Sequence, residues 1–360
     1  MSAGIDIVIP HVDGSAPGYQ ALCRERTGSW VPCHVRDLGE LRYVLRSMER
    51  FAPWVESVTL VVQSDGHVPA WLDRTRLRIV RHEEFIPRAH LPTFHWATIA
   101  AYMHRIEGLS ERFVIWDDDQ LLGRPLAASD LFDEDGLPRA MRTAPIWPAL
   151  GAVVKSTYQL NLINTARALD RRIGPGPTFL YPHMPRPVSR ATWARMHEAM
   201  LSVPEFVDTV TRNARGDERA RPTVEPHVLF ANWVERAERG RGALRGYAAC
   251  ALDMAARGAV ALLPAALRAR VPFRAAGYGI VNDPELTRRR MARLAAERPT
   301  FINVNDEAYD SWVVDGVDLN TAEMPNPESL AVFHATMERL YPTPSRFELR
   351  APSGRDTTAR

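Results

Sequence analysis

The sequence predicts an α/β protein with a mostly parallel, Rossmann-like sheet, helices on both faces and a helical insertion. Short β-branched runs alternate with segments of helical periodicity over the first 120 residues, and this alternation is typical of a parallel sheet. The chain has 360 residues, 46% of them hydrophobic and 24% charged, as in an ordinary globular protein. We expect one α/β domain over residues 1–345, a mainly helical insertion over 187–300 and a disordered tail over 346–360.

Short apolar runs, most of them β-branched or aromatic, predict the strands. These runs are Ile5–Ile9, Val58–Val62, Leu77–Val80, Phe113–Trp116 and Phe301–Asp306. The first run continues into the turn-rich loop Pro10–Pro17. A strand followed by a glycine loop is a common start for a nucleotide-binding unit, although Asp-Gly turns occur in many other settings.

Apolar residues three and four apart predict the helices. The clearest is 37–50, where Leu41, Val44, Leu45 and Met48 form one stripe and Asp37 is the expected N-cap. Further helices are expected at 97–106, 189–201, 226–241 and 331–340. Residues 18–36 look irregular. The proline-dense stretch 174–187 is expected to be a rigid loop without regular structure that lines a site.

Composition excludes some classes of function. The net charge of +2 gives no basis for nucleic-acid binding. Three cysteines without a CxxC pair indicate a reducing compartment. The chain begins without a signal peptide and has no apolar run of about 20 residues, so we expect a cytoplasmic protein. Residues 243–270 are apolar with flanking arginines. They form core, the interpretation we favour, an oligomer contact, or an interfacial helix at the inner face of a membrane.

Three consecutive acids, Asp117, Asp118 and Asp119, end the fourth predicted strand. Acids at that place reach the carboxyl edge of the sheet, where ligands bind in open α/β folds. Neighbouring carboxylates repel one another, so they need either solvent or a cation such as Mg²⁺ or Mn²⁺. Asp306 ends the last predicted strand. We therefore expect Asp118 and Asp306 to share a metal site, the alternative being a solvated acidic turn.

Two groups of arginines are candidate phosphate ligands. Arg42 and Arg46 lie four residues apart on one helix face, where they repel each other unless an anion or a carboxylate lies between them. The stretch 211–222 holds Arg212, Arg215, Arg219 and Arg221. It is either a loop that closes over phosphate or a plain surface loop. Lys155 is the only lysine. Arginine is therefore the usual basic residue of this chain, and its presence does not by itself indicate a phosphate site.

Four blocks of the sequence together resemble the Stealth family of sugar-1-phosphate transferases. The second block is the longest and most specific, and it ends in the three acids. The blocks are Ile5–Pro17, Arg36–Trp54 with its continuation to Asp119, Pro182–Pro185 with the arginine loop after it, and Phe301–Asp306. The chain departs from the family pattern at His11, Ala16 and Asp117, where the family has tryptophan, aspartate and asparagine. These positions surround the predicted donor pocket, so the donor sugar and nucleotide stay open.

The resemblance implies a reaction in bacterial capsule or exopolysaccharide synthesis. A hexose-1-phosphate passes from a nucleotide-diphosphate sugar such as UDP-GlcNAc to a hydroxyl of a sugar or polysaccharide acceptor. A phosphodiester forms and a nucleoside monophosphate leaves. The main alternative is a metal-dependent Asp-x-Asp glycosyltransferase, which releases a nucleoside diphosphate instead. A third interpretation is a non-catalytic protein that binds nucleotide sugars.

The resemblance also implies roles for particular residues. One of Asp118 and Asp119 holds Mg²⁺ or Mn²⁺ and the other takes the acceptor proton, while replacing Asp117 with asparagine preserves activity. Arg42 and Arg46 clamp the diphosphate, and His183 donates to a phosphoryl oxygen or relays a proton, although without the resemblance it is an ordinary surface histidine. The other expected substrate-binding residues are Asp13, Gly14, Ser15, Glu40, Arg215 and Arg221.

Overall fold

The computed structural model describes residues 4–28, 30–139, 142–146, 157–212, 221–240, 274–307 and 325–349, with isolated positions between 247 and 267. Its strands are numbered in chain order. They are β1 (Ile5–Pro10), β2 (Ser57–Val62), β3 (Arg78–Arg81), β4 (Arg112–Ile115), β5 (Gln120–Leu122), β6 (Ala144–Pro145), β7 (Phe179–Leu180), β8 (Arg186–Ser189), β9 (Ala275–Gly277) and β10 (Phe301–Asn303).

The central sheet confirms the predicted fold class. Its strand order is β3-β2-β1-β4-β8. The first four of these strands run parallel, with Val8 of β1 opposite Thr59 of β2 on one side and Ile115 of β4 on the other. Strand β1 lies in the middle, and its Ile7, Val8 and Ile9 are fully buried. Because β2 and β4 run parallel to β1 on either side, the loops after these three strands meet at one edge of the sheet.

Strand β8 corrects the prediction that residues 174–187 lack regular structure. It pairs antiparallel with β4, and Pro187 lies opposite Val114. Strand β7 in the same stretch pairs with β6. Proline is tolerated here because β8 is an edge strand, and an edge strand needs ladder hydrogen bonds on one side only. Pairing of β8 with the core strand holds the proline-rich stretch beside the end of β4.

A second, smaller sheet has the order β5-β10-β9. Strand β10 runs antiparallel to β5 and parallel to β9. The last predicted strand is therefore shorter than expected, and it does not belong to the central sheet. The turn between β4 and β5 joins the two sheets. This turn consists of Trp116 and the three consecutive acids, and the Val304 N–H donates to the Asp119 backbone carbonyl at 3.1 Å.

The helices are numbered in chain order in the same way. They are α1 (Tyr19–Thr27), α2 (Glu40–Phe51), α3 (Trp96–Tyr102), α4 (Ala128–Leu131), α5 (Thr157–Ile173), α6 (Arg190–Met200), α7 (Pro204–Val210), α8 (Pro226–Trp233), α9 (Pro284–Glu297) and α10 (Pro327–Leu340). None of the helices in these described residues is long and apolar enough to span a bilayer. The predicted segment 243–270 falls largely outside the described residues.

One helix was not predicted, and another begins later than predicted. Helix α1 lies in a stretch expected to be irregular; Gly18 and Gly28 bracket it in the left-handed region, at φ 76° and 71°, which glycine adopts easily. Helix α2 begins at Glu40 with Gly39 as its N-cap at φ 87°. The Asp37 carboxylate instead accepts from the Gly39 N–H at 2.8 Å, so it fixes the turn that leads into the helix.

Helices cover both faces of the central sheet, as predicted. Alternate residues of β1 point to opposite faces, and they belong to two separate apolar clusters. Ile7 and Ile9 pack in the cluster that contains α2, α9 and α10, while Val8 packs in the cluster that contains α3, α6 and α8. Within the described part of the predicted insertion 187–300 lie the helices α6 to α9, but its first residues belong to β8 and so to the central sheet.

The C-terminal segment bears on two predictions. Residues 346–349 are packed onto the domain: Phe347 is 1% exposed in the core. The Glu348 carboxylate accepts two hydrogen bonds from Arg46, at 2.8 and 2.9 Å, and lies 3.7 Å from Arg42. Glu348, with Glu338 at 2.9 Å from Arg46, therefore supplies the negative charge beside the arginine pair, and neither arginine lines the cleft in which a diphosphate clamp would be needed.

We expect Glu348→Gln to lower the free energy of unfolding by about 2 kcal/mol, because the buried Arg46 guanidinium then keeps only its second carboxylate partner, Glu338, at 2.9 Å. Urea denaturation measures the change. The matched control is Glu49→Gln, on the same helix as Arg46. The half-exposed Glu49 carboxylate lies 3.6 Å from Arg346, and this ion pair should contribute under about 1 kcal/mol. Equal effects of the two variants would contradict the assigned role.

Two buried histidines make stability depend on pH. The rings of His104 and His197 lie 4.9 Å apart between centroids, and both Nδ1 atoms donate to the Ala101 carbonyl. Burial lowers the pKa of His104 to about 3 and that of His197 to about 4. The unfolded chain binds protons on both rings below pH 6.5 while the folded chain does not.

Stability is therefore full above the unfolded pKa and falls as pH drops from about 6.5 toward the folded values. We expect a loss of about 1 kcal/mol for each histidine between pH 7.5 and 5.5. Urea denaturation at the two pH values measures it. In the double variant His104→Gln, His197→Gln the pH dependence should become shallower by that amount, and an unchanged dependence would count against these two residues.

Candidate active site

A cleft of about 460 Å³ opens where the loops after β1, β2 and β4 meet. Its lining combines charged and polar side chains with aromatic and apolar ones. The lining residues are Pro10, His11, Val12, Tyr19, His34, Val35, Gln63, His82, Thr93, Phe94, Trp96, Ile99, Asp117, Asp118, Asp119, His183 and Arg186. The prediction that the three acids reach a ligand-binding edge of the sheet agrees with this position. The fold gives each of them a different electrostatic environment.

Asp117 has its charge fully neutralised by the protein. Arg186 donates to both carboxylate oxygens at 2.7 Å, His183 Nε2 donates at 2.7 Å, and the Gln120 amide donates at 3.1 Å. Burial alone would raise the pKa of Asp117, but the Arg186 charge and the His183 hydrogen bond outweigh it and lower the pKa strongly. The Asp117 carboxylate therefore contacts two other site residues, Arg186 and His183.

Asp118 faces the cleft and is paired from behind. Its side chain is 34% exposed, and its Oδ2 lies 2.6 Å from His11 Nδ1. His11 itself is buried. Burial works against protonation of this ring, yet the charges of Asp118, Asp37 and Asp13 outweigh it, so the pKa of His11 is raised. Asp118 is thus the acid of the three that combines exposure to the cleft with a cationic partner.

Asp119 has no such partner. Its Oδ1 is buried and makes no hydrogen bond with any described residue. Burial, together with the charges of Asp117 and Asp118, raises the pKa of the Asp119 carboxyl to about 7. A carboxyl group in this position is stable when it is protonated, or when a cation neutralises its ionised form. Asp119 Oδ1 is therefore the atom of the cleft at which a bound cation would be most stabilising.

The donor set around this oxygen fits a divalent cation. Ligand atoms of Asp117, Asp119 and His183 all lie within 4.8 Å of one another. Two carboxylate oxygens and an imidazole nitrogen suit Mn²⁺ and, with water, Mg²⁺. Neither Asp118 nor Asp306, the predicted metal ligands, belongs to this cluster. Both Asp306 oxygens accept from Arg36, at 2.6 and 2.9 Å, so that carboxylate is neutralised elsewhere.

The other predicted substrate-binding residues near the site are already engaged. The Gly14 N–H donates to the Val35 carbonyl at 2.6 Å, and the Ser15 N–H donates to Asp13 Oδ1 at 2.8 Å. These two backbone amides are therefore not available to nucleotide phosphates, although Gly14 and Ser15 were predicted to bind the substrate. Glu40 is buried and accepts from the Leu38 N–H at 2.7 Å. Its pKa is raised well above normal by burial and by the Asp37 charge.

The arginine loop gives no support for a phosphate lid. Arg221 is 68% exposed and pairs with Asp208, and Arg212 pairs with the same carboxylate. Neither arginine lines the cleft. Arg215 and Arg219 lie outside the described residues.

The sequence analysis did not identify Arg186 or the aromatic side chains that line the cleft. Arg186 lies between two prolines in a stretch expected to be a loop, and only its register opposite Ile115 of β4 brings it to Asp117. Its guanidinium also lies 5.3 Å from the centre of the Trp96 ring. Tyr19 begins α1, whereas Phe94 and Trp96 lie together at the start of α3. No local spacing marks these two segments as one surface.

The comparisons with known proteins give a consistent set of relatives. Residues 34–140 match the family model described as Stealth protein CR2, conserved region 2. A receptor polysaccharide phosphotransferase of Streptococcus oralis is 40% identical over 145 residues, which cover 38% of this chain and 43% of that protein. An exopolysaccharide phosphotransferase of Streptomyces coelicolor is 31% identical over 248 residues, covering 66% of this chain and 45% of that protein.

Two further matches are more distant. A capsular polysaccharide phosphotransferase of Actinobacillus pleuropneumoniae is 28% identical over 221 residues, covering 55% of this chain and 58% of that protein. The chain thus spans about half the length of these three relatives. Among solved structures, the galactosyltransferase LgtC in complex with donor and acceptor sugar analogues aligns with a TM-score of 0.32 at 14% identity, covering 63% of this chain and 70% of that one.

Proposed function

The chain belongs to the Stealth family, and on that premise we propose that it is a polysaccharide phosphotransferase. It transfers a sugar-1-phosphate from a nucleotide-diphosphate sugar to a hydroxyl of a carbohydrate acceptor. The observation that carries this proposal is the division of labour among three adjacent aspartates in one cleft. One is neutralised by arginine, one faces the cleft with a histidine behind it, and one keeps a buried, unpartnered oxygen.

Asp118 is the proposed general base. The acceptor oxygen attacks the phosphorus that carries the sugar, and a new P–O bond forms as the bond from that phosphorus to the bridging oxygen breaks. The acceptor proton moves to the Asp118 carboxylate, and the nucleoside monophosphate leaves with the electron pair of the broken bond. A base suits this step because it must be in reach of the hydroxyl, and Asp118 is the most exposed of the paired acids.

Asp119, with Asp117 and His183, is the proposed cation site. The cleft is lined by three carboxylates, and a diphosphate brings further negative charge. Mg²⁺ or Mn²⁺ held there would neutralise the diphosphate during transfer. Arg186 keeps the Asp117 carboxylate ionised and oriented beside this site.

A side chain of the second sheet supports this part of the cleft. The Asn303 amide donates to the His183 carbonyl at 2.9 Å, so the histidine loop is tied to β10. Tyr19, Phe94 and Trp96 line the same cleft and offer an apolar surface suited to a planar nucleobase. The phosphates of the donor then lie beside the three acids and the proposed cation site.

The released nucleotide tests the proposal. The purified chain is incubated with a panel of nucleotide sugars, with and without a carbohydrate acceptor, in Mg²⁺, Mn²⁺ or EDTA, and the products are separated by anion-exchange chromatography. We expect a nucleoside monophosphate, dependent on the cation. No turnover of any donor under any condition would count against an enzyme and favour a nucleotide-sugar-binding protein.

A metal-dependent glycosyltransferase is the second candidate. It is favoured by one observation: Asp117 and Asp119 form an Asp-x-Asp pair whose oxygens converge with His183. Such an enzyme breaks the bond between the sugar C1 and its oxygen and releases a nucleoside diphosphate. Finding UDP in place of UMP would therefore replace the phosphotransferase proposal with this one.

A further inference from the structure

We infer that His11 is a positioning residue for Asp118: it holds one carboxylate oxygen from behind so that the other faces the acceptor hydroxyl. The inference rests on the proposed function, since it assumes that Asp118 takes the acceptor proton. It goes beyond that function by assigning a role to a position outside the region that matches the family model, residues 34–140.

The fold fixes the histidine rigidly. His11 directly follows β1, and its backbone N–H donates to the Val61 carbonyl at 2.9 Å. Its side chain is 1% exposed, whereas the Asp118 side chain is 34% exposed. The ring therefore cannot reach the cleft solvent, and any effect of His11 on a substrate hydroxyl acts through Asp118.

The contact is short and specific. His11 Nδ1 lies 2.6 Å from Asp118 Oδ2, a short contact of the kind made when a hydrogen bond is assisted by charge. This is the one hydrogen bond that the Asp118 side chain makes within the described part of the chain. Asp118 Oδ1 is left to the cleft. A carboxylate without this anchor would rotate about its side-chain bonds under repulsion from the acids on both sides.

The other nitrogen of the ring has no comparable contact. His11 Nε2 makes no hydrogen bond with the described residues, and the nearest carboxylate oxygen, Asp37 Oδ2, lies 4.0 Å away. The Asp37 carboxylate is held in place by the Gly39 N–H. Only Nδ1 therefore does the positioning, and this makes the two amide replacements of histidine give opposite results.

Anchoring by His11 also separates two sites that share adjacent residues. Asp117, Asp119 and His183 converge on the proposed cation site, and Asp118 lies between the two aspartates in sequence. Its Oδ2 is bound to His11 on the side of β1, so Asp118 is kept out of that cluster and stays available as a base.

Three variants test the inference. In His11→Asn the amide nitrogen takes the place of Nδ1 and can still donate to Asp118, whereas in His11→Gln it reaches the place of Nε2 and cannot. His11→Phe fills the space without a donor. We expect kcat to fall at least about tenfold in His11→Phe and His11→Gln and to stay within about threefold in His11→Asn, with the donor KM unchanged in all three.

A double-variant comparison shows whether His11 acts through Asp118. In the Asp118→Asn background, adding His11→Phe should cause no further loss of the residual rate. A further loss equal to that seen in the wild-type background would overturn the inference. So would equal losses in His11→Asn and His11→Phe, or a wild-type rate in His11→Phe.

A spectroscopic measurement separates failure of this inference from failure of the proposed function. Proton NMR of the wild-type protein without substrate should show a low-field imidazole N–H resonance from His11 that disappears in Asp118→Ala and remains in the surface variant Glu134→Gln. Absence of this resonance overturns the inference even when the enzyme is active. If the resonance is present but the wild type releases no monophosphate, the proposed function and the positioning role fail, while the contact itself stands.

Discussion

Replacing Asp119 or Asp118 with asparagine is expected to lower kcat by at least about a hundredfold, for a different reason in each case. Asp119→Asn removes the charge from the buried oxygen that has no protein partner, so the cation is lost. Asp118→Asn leaves the cation site intact and removes the base. Titration calorimetry with Mn²⁺ distinguishes the two: Asp119→Asn should abolish binding and Asp118→Asn should keep it.

Glu134→Gln is the matched control for both variants, because it removes one exposed carboxylate from the turn after α4 and should change neither rate nor Mn²⁺ affinity. Loss of Mn²⁺ binding in Asp118→Asn together with retention in Asp119→Asn would reverse the two assignments. Retention of activity in both variants would remove the acids from the chemistry altogether.

Replacing Arg186 with methionine is expected to lower the free energy of unfolding by about 3 kcal/mol, because it leaves the Asp117 carboxylate largely buried without its counter-charge. Arg186 is 15% and Asp117 18% exposed at the side chain. The same variant should lower kcat strongly, because Arg186 then no longer orients the Asp117 carboxylate that binds His183. Urea denaturation gives the stability change, and the assay for monophosphate release gives the rate.

The double variant Asp117→Asn, Arg186→Met should recover most of the lost stability, because it removes both members of the ion pair. Arg171→Ala serves as the control; its guanidinium is 59% exposed beside Glu205 and should contribute less than about 1 kcal/mol. If Arg186→Met were no more destabilising than this control, the ion pair would have no structural role. Asp117→Asn alone is now expected to impair the protein, in contrast to the expectation from sequence.

The elements of the fold could be predicted because their signals are local. The run Phe113–Trp116 has the length and composition of a buried strand, and Leu41, Val44, Leu45 and Met48 show the helix period, so β4 and α2 were found with small errors at their ends. Helix α1 was missed because it buries only Tyr19 and Cys23, which is too short a stripe to give a clear period.

Partners across the chain could not be predicted, because they depend on which surfaces meet. The period of α2 puts Arg42 and Arg46 on one face correctly, but it does not say whether a diphosphate or a carboxylate lies opposite. That carboxylate, Glu348, is 302 residues from Arg46. Asp306 likewise ends a strand as expected, yet its charge is taken by Arg36, 270 residues away. The three acids were identified from sequence, but their different environments were not.

The partners of the three acids also set a lower limit on the piece of chain that can assemble the site. Conserved region 2 covers residues 34–140 and contains all three aspartates, but His11 lies before it, and His183 and Arg186 lie after it. A fragment cut to that region would keep the family signature and expose three mutually repelling carboxylates with none of their neutralising side chains. During synthesis on the ribosome, the acids emerge more than sixty residues before Arg186, so the cleft can reach its final charge balance only after β8 has joined the sheet.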